Sequence, residues 1–267
     1  MSDAVGPLET GWLEDTPIDD NLIRRFLANQ SDANDEIARA SGGRTQRLPG
    51  VALADAGSVV PYLNQAVLLR PVLAADDPLL AEIDAFFAGA SHPATVLSTW
   101  PTADLSGRGW HLLGHPALVL RAPGPAPTTR APGVRTSIVR DATGLARAEQ
   151  VAVQGYPIPD AIGLPPGSVL APALLDTDVR YRVGMLDGNP VGVGGSFVAH
   201  GVVNLCLAAT LAAARRRGVW EALVWGRVGD APELPAMAFT SDDSRPGFVR
   251  MGFLALSRLT LWLRLPA

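Results

Sequence analysis

The chain has 267 residues, a net charge of −4, 48% hydrophobic residues and 18% charged ones, a balance typical of a folded globular protein. The acidic balance argues against general nucleic-acid binding, and because all 22 basic residues are arginine, a lysine Schiff base and a Walker-type lysine are excluded. A single cysteine, Cys206, excludes an internal disulfide and a multi-cysteine metal site, so no metal is expected.

The first half predicts helices and strands in alternation. Apolar residues at helical spacing predict a helix over 18–40, either continuous or split in two near 31–34. A strand over 62–72 follows. The acidic cap and proline at 76–78 then begin a helix, and a strand is expected near 95–100. Residues 111–121 read as a strand pair or a bent strand.

The second half follows a proline-rich segment, 123–133, which has no apolar periodicity and is interpreted as a linker. Asp187-Gly188-Asn189 lies between two β-rich runs and predicts a hairpin. The remaining elements are listed in chain order: strand 134–139, helix 142–154, loop 156–167, a short helix from Ser168 broken at Pro172, strand 202–209, helix 219–228, strand 236–240, helix 242–251 and a final strand or strand pair 254–265.

The turn between strand 202–209 and helix 219–228 carries three consecutive arginines, Arg215 to Arg217, followed by Gly218. Free backbone N–H groups and the helix dipole favour an anion at such a position. Cations at a helix N-terminus are unfavourable against the dipole, so a purely solvated arginine face is the weaker interpretation. The pattern predicts a phosphate site.

The ends of the two halves are similar at a constant offset. Gly109-Trp110 and the leucines after it align without gaps with Gly252-Phe253 and its leucines, 143 residues later. Chance similarity between leucine-rich strands is one explanation. The shared order of strand, helix, strand, Gly-aromatic and strand favours an internal duplication.

The order of elements in the second half, together with Arg215 to Trp220 and Met251-Gly252-Phe253, resembles the GCN5-related N-acetyltransferases (GNAT). Within them the chain looks like the two-part actinobacterial type. The resemblance implies an α+β fold of tandem GNAT-like mixed sheets flanked by helices, with only the C-terminal copy complete. The expected units are 1–122 for the incomplete copy, 123–133 for the linker and 134–267 for the acetyltransferase domain.

The resemblance implies acetyl-CoA as co-substrate, lying between strands 202–209 and 236–240. Backbone groups of Leu207, Ala209 and Thr210 would pair with the pantetheine arm. The turn would cradle the pyrophosphate, with charge from its arginines. The residues expected there are Arg215, Arg216, Arg217, Gly218, Val219 and Trp220.

Several positions depart from the family pattern. Trp220 stands where a small residue lets the backbone approach the phosphates, so it either points away or blocks the site. Phe248 stands where many members carry a tyrosine that protonates the departing thiolate, which phenylalanine cannot do. Ser241 stands where an asparagine often helps to hold the cofactor.

No general base is evident in the sequence. His200, beside Gly201 at a turn, is the best candidate by residue type, although a turn histidine is more often solvated. Cys206 in an apolar strand is more often a core residue than a nucleophile. His111 and His115 are too loosely placed to be a metal pair.

The leading functional hypothesis is an N-acyltransferase that transfers an acetyl group from acetyl-CoA to a small-molecule or peptide amine by direct attack. The alternative is a catalytically weak or inactive relative that binds a coenzyme A ester or another ligand. A third interpretation is a purely structural interaction module. The absence of a long apolar run and of a signal peptide predicts a cytoplasmic protein without membrane or nucleic-acid partners. A homodimer is left open.

Overall fold

The computed structural model describes residues 21–127, 131–156 and 158–266. Within these ranges no helix has the length and apolar character needed to cross a bilayer. The helices are α1 (Leu22–Ala40), α2 (Pro78–Phe86), α3 (Ala142–Gly155), α4 (Val219–Val228) and α5 (Arg245–Arg250). The strands are β1 (Arg44–Leu48), β2 (Val51–Asp55), β3 (Asn64–Leu68), β4 (Ala94–Ser98), β5 (His111–Gly114), β6 (Ala117–Arg121), β7 (Val134–Ile138), β8 (Arg180–Leu186), β9 (Asn189–Ala199), β10 (Val202–Thr210), β11 (Ala236–Thr240), β12 (Leu254–Arg258) and β13 (Thr260–Arg264).

These strands form two mixed sheets. The first has the order β1-β2-β3-β4-β13-β5 and the second the order β12-β6-β11-β10-β9-β8-β7. Each sheet contains one parallel pair, β3 with β4 and β10 with β11. The last strand of each half therefore lies in the sheet of the other half: β13 between β4 and β5, and β6 between β11 and β12.

The exchange follows the internal repeat. Strands β5 and β12 begin 143 residues apart, and so do β6 and β13. Gly109 and Gly252, which precede β5 and β12, have φ values of 80° and 83°, a left-handed conformation that favours glycine. The constant offset and the matching exchange are what a duplicated unit predicts, and they confirm the tandem arrangement of two mixed sheets.

The division of the sequence into units 1–122 and 134–267 stays a prediction. The two sheets do not follow this division, because each sheet contains a strand from the other unit. At 111–121 and 254–265, where a strand pair was one of two alternatives, the structure has a strand pair, and each pair spans the two sheets. The sequence pattern could not show this, because a strand paired within its own sheet has the same apolar pattern as one paired with a neighbouring sheet.

The structure differs from the sequence prediction at two local places. At the first, β1 and β2 form a hairpin that was not predicted, although Pro49-Gly50 is a turn dipeptide and Gly50 has a φ of 99°. The short helix predicted from Ser168 is wrong, since the helical turns there are a 3-10 helix over Pro172–Asp176. Proline at the start of a helical turn is compatible with that conformation because its missing N–H has no partner there.

Helix α1 is continuous, so the alternative of two helices is wrong. Asn21 caps it by accepting a hydrogen bond from the Ile23 N–H at 2.9 Å. The polar residues that suggested a break, including Ser31 and Asn34, are buried instead. The Ser31 hydroxyl donates to the Leu27 carbonyl and the Asn34 amide donates to Gln65 of β3, while α1 packs against β2 and β3 of the first sheet and β9 and β10 of the second.

Replacing Trp262 tests the exchanged strand. This residue of β13 is only 5% exposed, packs in the core of the first sheet and donates from Nε1 to the Thr102 hydroxyl at 2.8 Å. Trp262→Ala should lower the free energy of unfolding by about 3–5 kcal/mol, the cost of a large cavity. Amide hydrogen exchange should accelerate first in β4 and β5, its neighbours, rather than in β11.

Leu256→Ala on β12 is the matched control. Leu256 is 40% exposed, so its truncation should change stability by less than about 0.5 kcal/mol. Faster exchange in β11 and β12 after Trp262→Ala, with β4 unchanged, would contradict the strand order.

Candidate functional site

The second sheet opens between its two parallel strands. Strands β10 and β11 pair only at Val203 with Ala236 and at Asn204 with Met237, although β10 continues to Thr210 and β11 to Thr240. Beyond these pairs the strands separate, and the backbone edge of β10 that faces β11 has no strand partner. Such an edge can accept an extended ligand in place of a strand.

A β-bulge in β10 lies at the start of this opening. The register with β9 shifts between Cys206 and Ala209, and Leu207 has a φ of 39°, an unusual value for a branched residue. Unusual backbone conformations of this kind often occur at functional sites.

The bulge also changes which backbone groups face the opening. The Val203 N–H donates to Pro235 ahead of β11, whereas the Leu211 N–H donates to Val191 of β9. By strand alternation Ala209 then faces β9, and Thr210 faces the opening. The backbone of Ala209 is therefore used in the ladder and is not available for the predicted pairing, while that of Ala208, which the sequence did not single out, faces the opening with Thr210.

Arg227 of α4 stabilises the bulge by hydrogen bonds to backbone carbonyls of β9 and β10. Its side chain is fully buried; Nη1 donates to the carbonyl oxygens of Gly195 at 2.8 Å and Cys206 at 3.2 Å, and Nε donates to the Leu223 carbonyl at 3.0 Å. Burial lowers the pKa of the guanidinium to about 10. The group remains charged at neutral pH and satisfies carbonyls on both sides of the irregular ladder.

The turn from β10 into α4 has the backbone of an anion cradle. After a 3-10 helix over Ala212–Ala214, Arg216 has a φ of 61° and Gly218 a φ of 80°. Helix α4 begins at Val219 and has no side-chain cap, so no capping side chain occupies the N–H groups of its first turn, the groups that can bind an anion. A Cβ at position 218 would lie 2.6 Å from that of Ala131, so glycine is required for space as well as for conformation.

The three arginines of the turn have different surroundings. Arg215 donates to the carbonyls of Thr210 at 3.2 Å and Gly155 at 3.1 Å, which ties the end of β10 to the end of α3. Arg217 pairs with the exposed Asp187 at 3.3 Å. Within the described residues Arg216 makes no hydrogen bond or ion pair, which leaves it the most available of the three for a bound anion.

Trp220 points away from the turn. Its ring packs edge-on against Phe248 at 4.9 Å between centroids, and a Cβ at Gly247 would lie 2.6 Å from it. Phe248 is 5% exposed and also packs against Phe253 at 5.0 Å. The tryptophan thus joins α4 to α5, with its side chain in a packing role, and no hydroxyl is present at position 248.

A cavity of about 370 Å³ extends from the opening to the boundary between the two halves. The second half contributes Cys206, Leu207 and the predicted lip, represented by Tyr156 and Ile158. Pro157 lies outside the described residues. The first half lines the same cavity with three segments: part of α1, residues 60–63 and residues 113–116.

Two tyrosines from different halves meet at this cavity. The rings of Tyr62 and Tyr156 lie edge-on, 6.2 Å apart, and burial together with the neighbouring Tyr156 raises the pKa of Tyr62. The lip behind Tyr156 is anchored by the buried Glu149 of α3, whose carboxylate accepts from the N–H groups of Gly167 and Val169, both at 2.5 Å. This side of the cavity is thus lined by two aromatic rings, and the segment behind Tyr156 is held by hydrogen bonds to Glu149.

Burial or ion pairing shifts the pKa values of three other groups that line the cavity, Cys206, Tyr181 and Asp242. Burial raises the pKa of the Cys206 thiol to about 11 and also raises the pKa of Tyr181. The Asp242 carboxylate accepts a hydrogen bond from Arg258, and this lowers its pKa. No cluster of three or more metal-ligating side chains occurs in the described ranges.

The predicted catalytic candidate His200 does not line this cavity. It lies at the surface with a φ of 53°, and its Nε2 is 2.6 Å from the Asp32 carboxylate of α1. A different histidine, His115, does line the cavity, through the exchanged turn between β5 and β6. Sequence reasoning missed it because nothing in the pattern placed the end of the first half beside β11.

No protein-family profile and no curated protein matches the sequence. Solved structures do match the fold. A GCN5-related N-acetyltransferase from Kribbella flavida aligns with a TM-score of 0.62 at 20% identity, over 90% of this chain and 95% of that one. The chain has the GNAT fold. A functionally unknown conserved protein from Staphylococcus epidermidis aligns with a TM-score of 0.58 at 13% identity, over 83% and 93% of the two chains.

A third structure, from Novosphingobium aromaticivorans and assigned to the GNAT family, aligns with a TM-score of 0.57 at 15% identity, over 87% of this chain and 98% of that one. At these sequence identities the comparisons support the fold alone. Because the alignments cover 90% and 87% of this chain, they include both sheets. In the GNAT fold of this chain the opening between β10 and β11 lies in the second copy, the one that carries the arginine turn.

The reactivity of Cys206 tests whether its thiol is buried and protonated at the cavity, as the structure indicates. Because a thiolate is the reactive form, raising the thiol pKa from 9.0 to about 11 should reduce its modification by Ellman's reagent at pH 8 by about 100-fold relative to the urea-unfolded chain. The chain has no other cysteine, so the signal reports this residue alone. Similar rates in folded and unfolded protein would indicate an accessible, ionised thiol instead.

Proposed function

We propose that this protein is a coenzyme A-dependent N-acyltransferase that uses acetyl-CoA as donor and a small-molecule or peptide amine as acceptor. One observation carries the proposal: the unpaired edge of β10 beside β11 leads directly to the uncapped start of α4. An extended arm ending in phosphates matches these two features in the same order.

The residues present fit such a ligand. The Thr210 side-chain oxygen is buried and has no hydrogen-bond partner among the described residues, at the point where the opening meets the turn. The backbones of Ala208 and Thr210 would pair with the amides of the pantetheine arm. The N–H groups from Arg216 to Trp220 would hold the pyrophosphate, with Arg216 adding charge.

The acceptor amine would enter from the other side of the sheet, through the cavity shared by the two halves. Its mostly apolar wall, with Tyr62 and Tyr156 at one side, would exclude water and orient the amine towards the bulge at Leu207. The amine nitrogen then attacks the thioester carbonyl, a C–N bond forms, the C–S bond breaks and the thiolate leaves on coenzyme A. Cys206 takes no part as a nucleophile, because burial keeps its thiol protonated.

Binding without turnover is the second candidate function, and Phe248 is the observation that favours it. Its buried ring leaves no acid at the position where a tyrosine would protonate the thiolate. Coenzyme A thiolate can also leave without a protein acid, so the absence of this hydroxyl is compatible with slower catalysis.

Calorimetry with acetyl-CoA tests the proposal directly. The protein should bind acetyl-CoA, and Arg216→Ala combined with Arg217→Ala should weaken binding by about tenfold or more and reduce its salt dependence, since charge-assisted contacts to phosphate contribute about 1.5–3 kcal/mol each. Arg180→Ala, an exposed arginine at the start of β8, is the matched control and should leave affinity unchanged.

Thiol release should then be measured with a panel of a polyamine, an arylalkylamine, an amino sugar and a peptide N-terminus. Release above the amine-free rate supports acyl transfer, and binding without release supports the second candidate. No binding of acetyl-CoA at high micromolar concentration would contradict both.

A further inference from the structure

We infer that the incomplete first half supplies the general base of this site, and that the base is His115. The inference rests on the proposed function and assigns a proton acceptor to it. It arises from the strand exchange, which carries the turn between β5 and β6 out of the first sheet and to the edge of the cavity in the second.

The turn that carries His115 is fixed against the equivalent turn of the second half. The Leu259 N–H donates to the Pro116 carbonyl at 2.9 Å, and Arg258 Nη1 donates to the His115 carbonyl at 2.8 Å. Gly114 has a φ of 150° at the start of the turn. The two crossing connections therefore hold each other, and the imidazole is positioned by backbone rather than by a free loop.

A single hydrogen bond sets the tautomer of the imidazole. Nδ1 of His115 lies 3.2 Å from the carbonyl oxygen of Leu259. A carbonyl only accepts, so the proton is on Nδ1, and in the neutral ring the lone pair is on Nε2. Among the described residues Nε2 has no partner, which leaves it available to take a proton from an incoming amine.

The other titratable groups of the cavity are poor bases for chemical reasons. Tyr62, Tyr181 and Cys206 all have raised pKa values, so they are protonated at neutral pH and act as hydrogen-bond donors. Arg227 is a cation engaged with three carbonyls. Asp242 is held by Arg258 at 2.7 Å, and its lowered pKa makes it a weaker proton acceptor.

The charges around His115 balance each other. Arg258, whose guanidinium bonds the His115 carbonyl, is paired with Asp242, and Arg245 lies 3.8 Å from the same carboxylate. The backbone of His115 is thus bonded to an arginine whose charge is already paired with a carboxylate.

In the proposed step the amine nitrogen bonds to the thioester carbon while its proton passes to Nε2 of His115. The C–S bond breaks, and its electron pair leaves with the sulfur of coenzyme A. The proton on His115 then returns to solvent or to the thiolate, which restores the neutral ring. No other reactant is required.

His115→Gln is the test, because glutamine keeps a polar side chain but accepts no proton at neutral pH. With the most active amine of the panel, kcat should fall by about 10²–10⁴-fold, the usual range for loss of a general base, and the acidic limb of the pH profile of kcat/KM should disappear. Acetyl-CoA affinity should stay within about twofold. Two control variants are His111→Gln, at an exposed position of β5, and His200→Gln, at the surface residue that pairs with Asp32. Both should retain the wild-type kcat and the acidic limb of the kcat/KM profile.

A readout without turnover completes the test. In ¹⁵N-histidine-labelled protein, the neutral His115 ring should show protonated Nδ1 and unprotonated Nε2, and its signals should shift on saturation with acetyl-CoA while those of His111 do not. Unaltered kcat in His115→Gln, loss of the acidic limb in His200→Gln instead, or no shift of His115 with acetyl-CoA bound would each overturn the inference. Failure of the wild type to bind acetyl-CoA would instead refute the proposed function.

Discussion

The exchange of the last strands between the two sheets is the constraint on which the rest of this structure depends. Strand β6 fills the place between β11 and β12, and β13 fills the equivalent place between β4 and β5. Neither half can complete its hydrogen-bonded ladder alone, because each would expose two unpaired strand edges. The connections that cross between the sheets meet at His115 and Leu259, and the cavity opens beside them. A domain pair joined only by a linker would leave relative motion as the default; here the shared ladders fix both walls of the site.

A buried chain of amides in α1 reinforces this union. Asn204 of β10 donates to Gln30 at 2.8 Å, and Gln30 donates to Gln65 of β3 at 3.2 Å. Each of these strands belongs to the parallel pair of its own sheet, β10 with β11 and β3 with β4. Gln30 of α1 therefore connects equivalent strands of the two sheets. Buried amides are costly when unpaired, and a network that is largely satisfied favours one arrangement over others. Helix α1 thereby aligns the two sheets and contributes part of the cavity wall, which explains why its middle is polar yet buried.

The sequence predicted the parts of the fold that local chemistry determines. The bounds of α4 and β11, the hairpin at Asp187 and the glycine turn at Gly218 follow from periodicity and turn residues, and the offset of 143 residues anticipated the paired strands β5–β6 and β12–β13. The partners of those strands could not be predicted, since an apolar strand pattern does not encode which sheet receives it. The same limit applies to the candidate site: the arginine turn is a local motif, whereas the position of His115 at the cavity depends on strand pairing across the whole chain. The choice of Ala209 failed for a smaller reason, because a one-residue bulge reverses which backbone groups face the opening.

The central claim is that an acyl-coenzyme A lies along β10 with its phosphates at the start of α4. Amide hydrogen exchange with and without saturating acetyl-CoA tests this most directly, since the backbone groups assigned to the ligand are themselves the exchanging sites. The account predicts slower exchange of the Ala208 and Thr210 amides and of those from Arg216 to Trp220, with β1 and β2 in the first sheet unchanged. Protection confined to other surfaces, or none at saturating ligand, would contradict it.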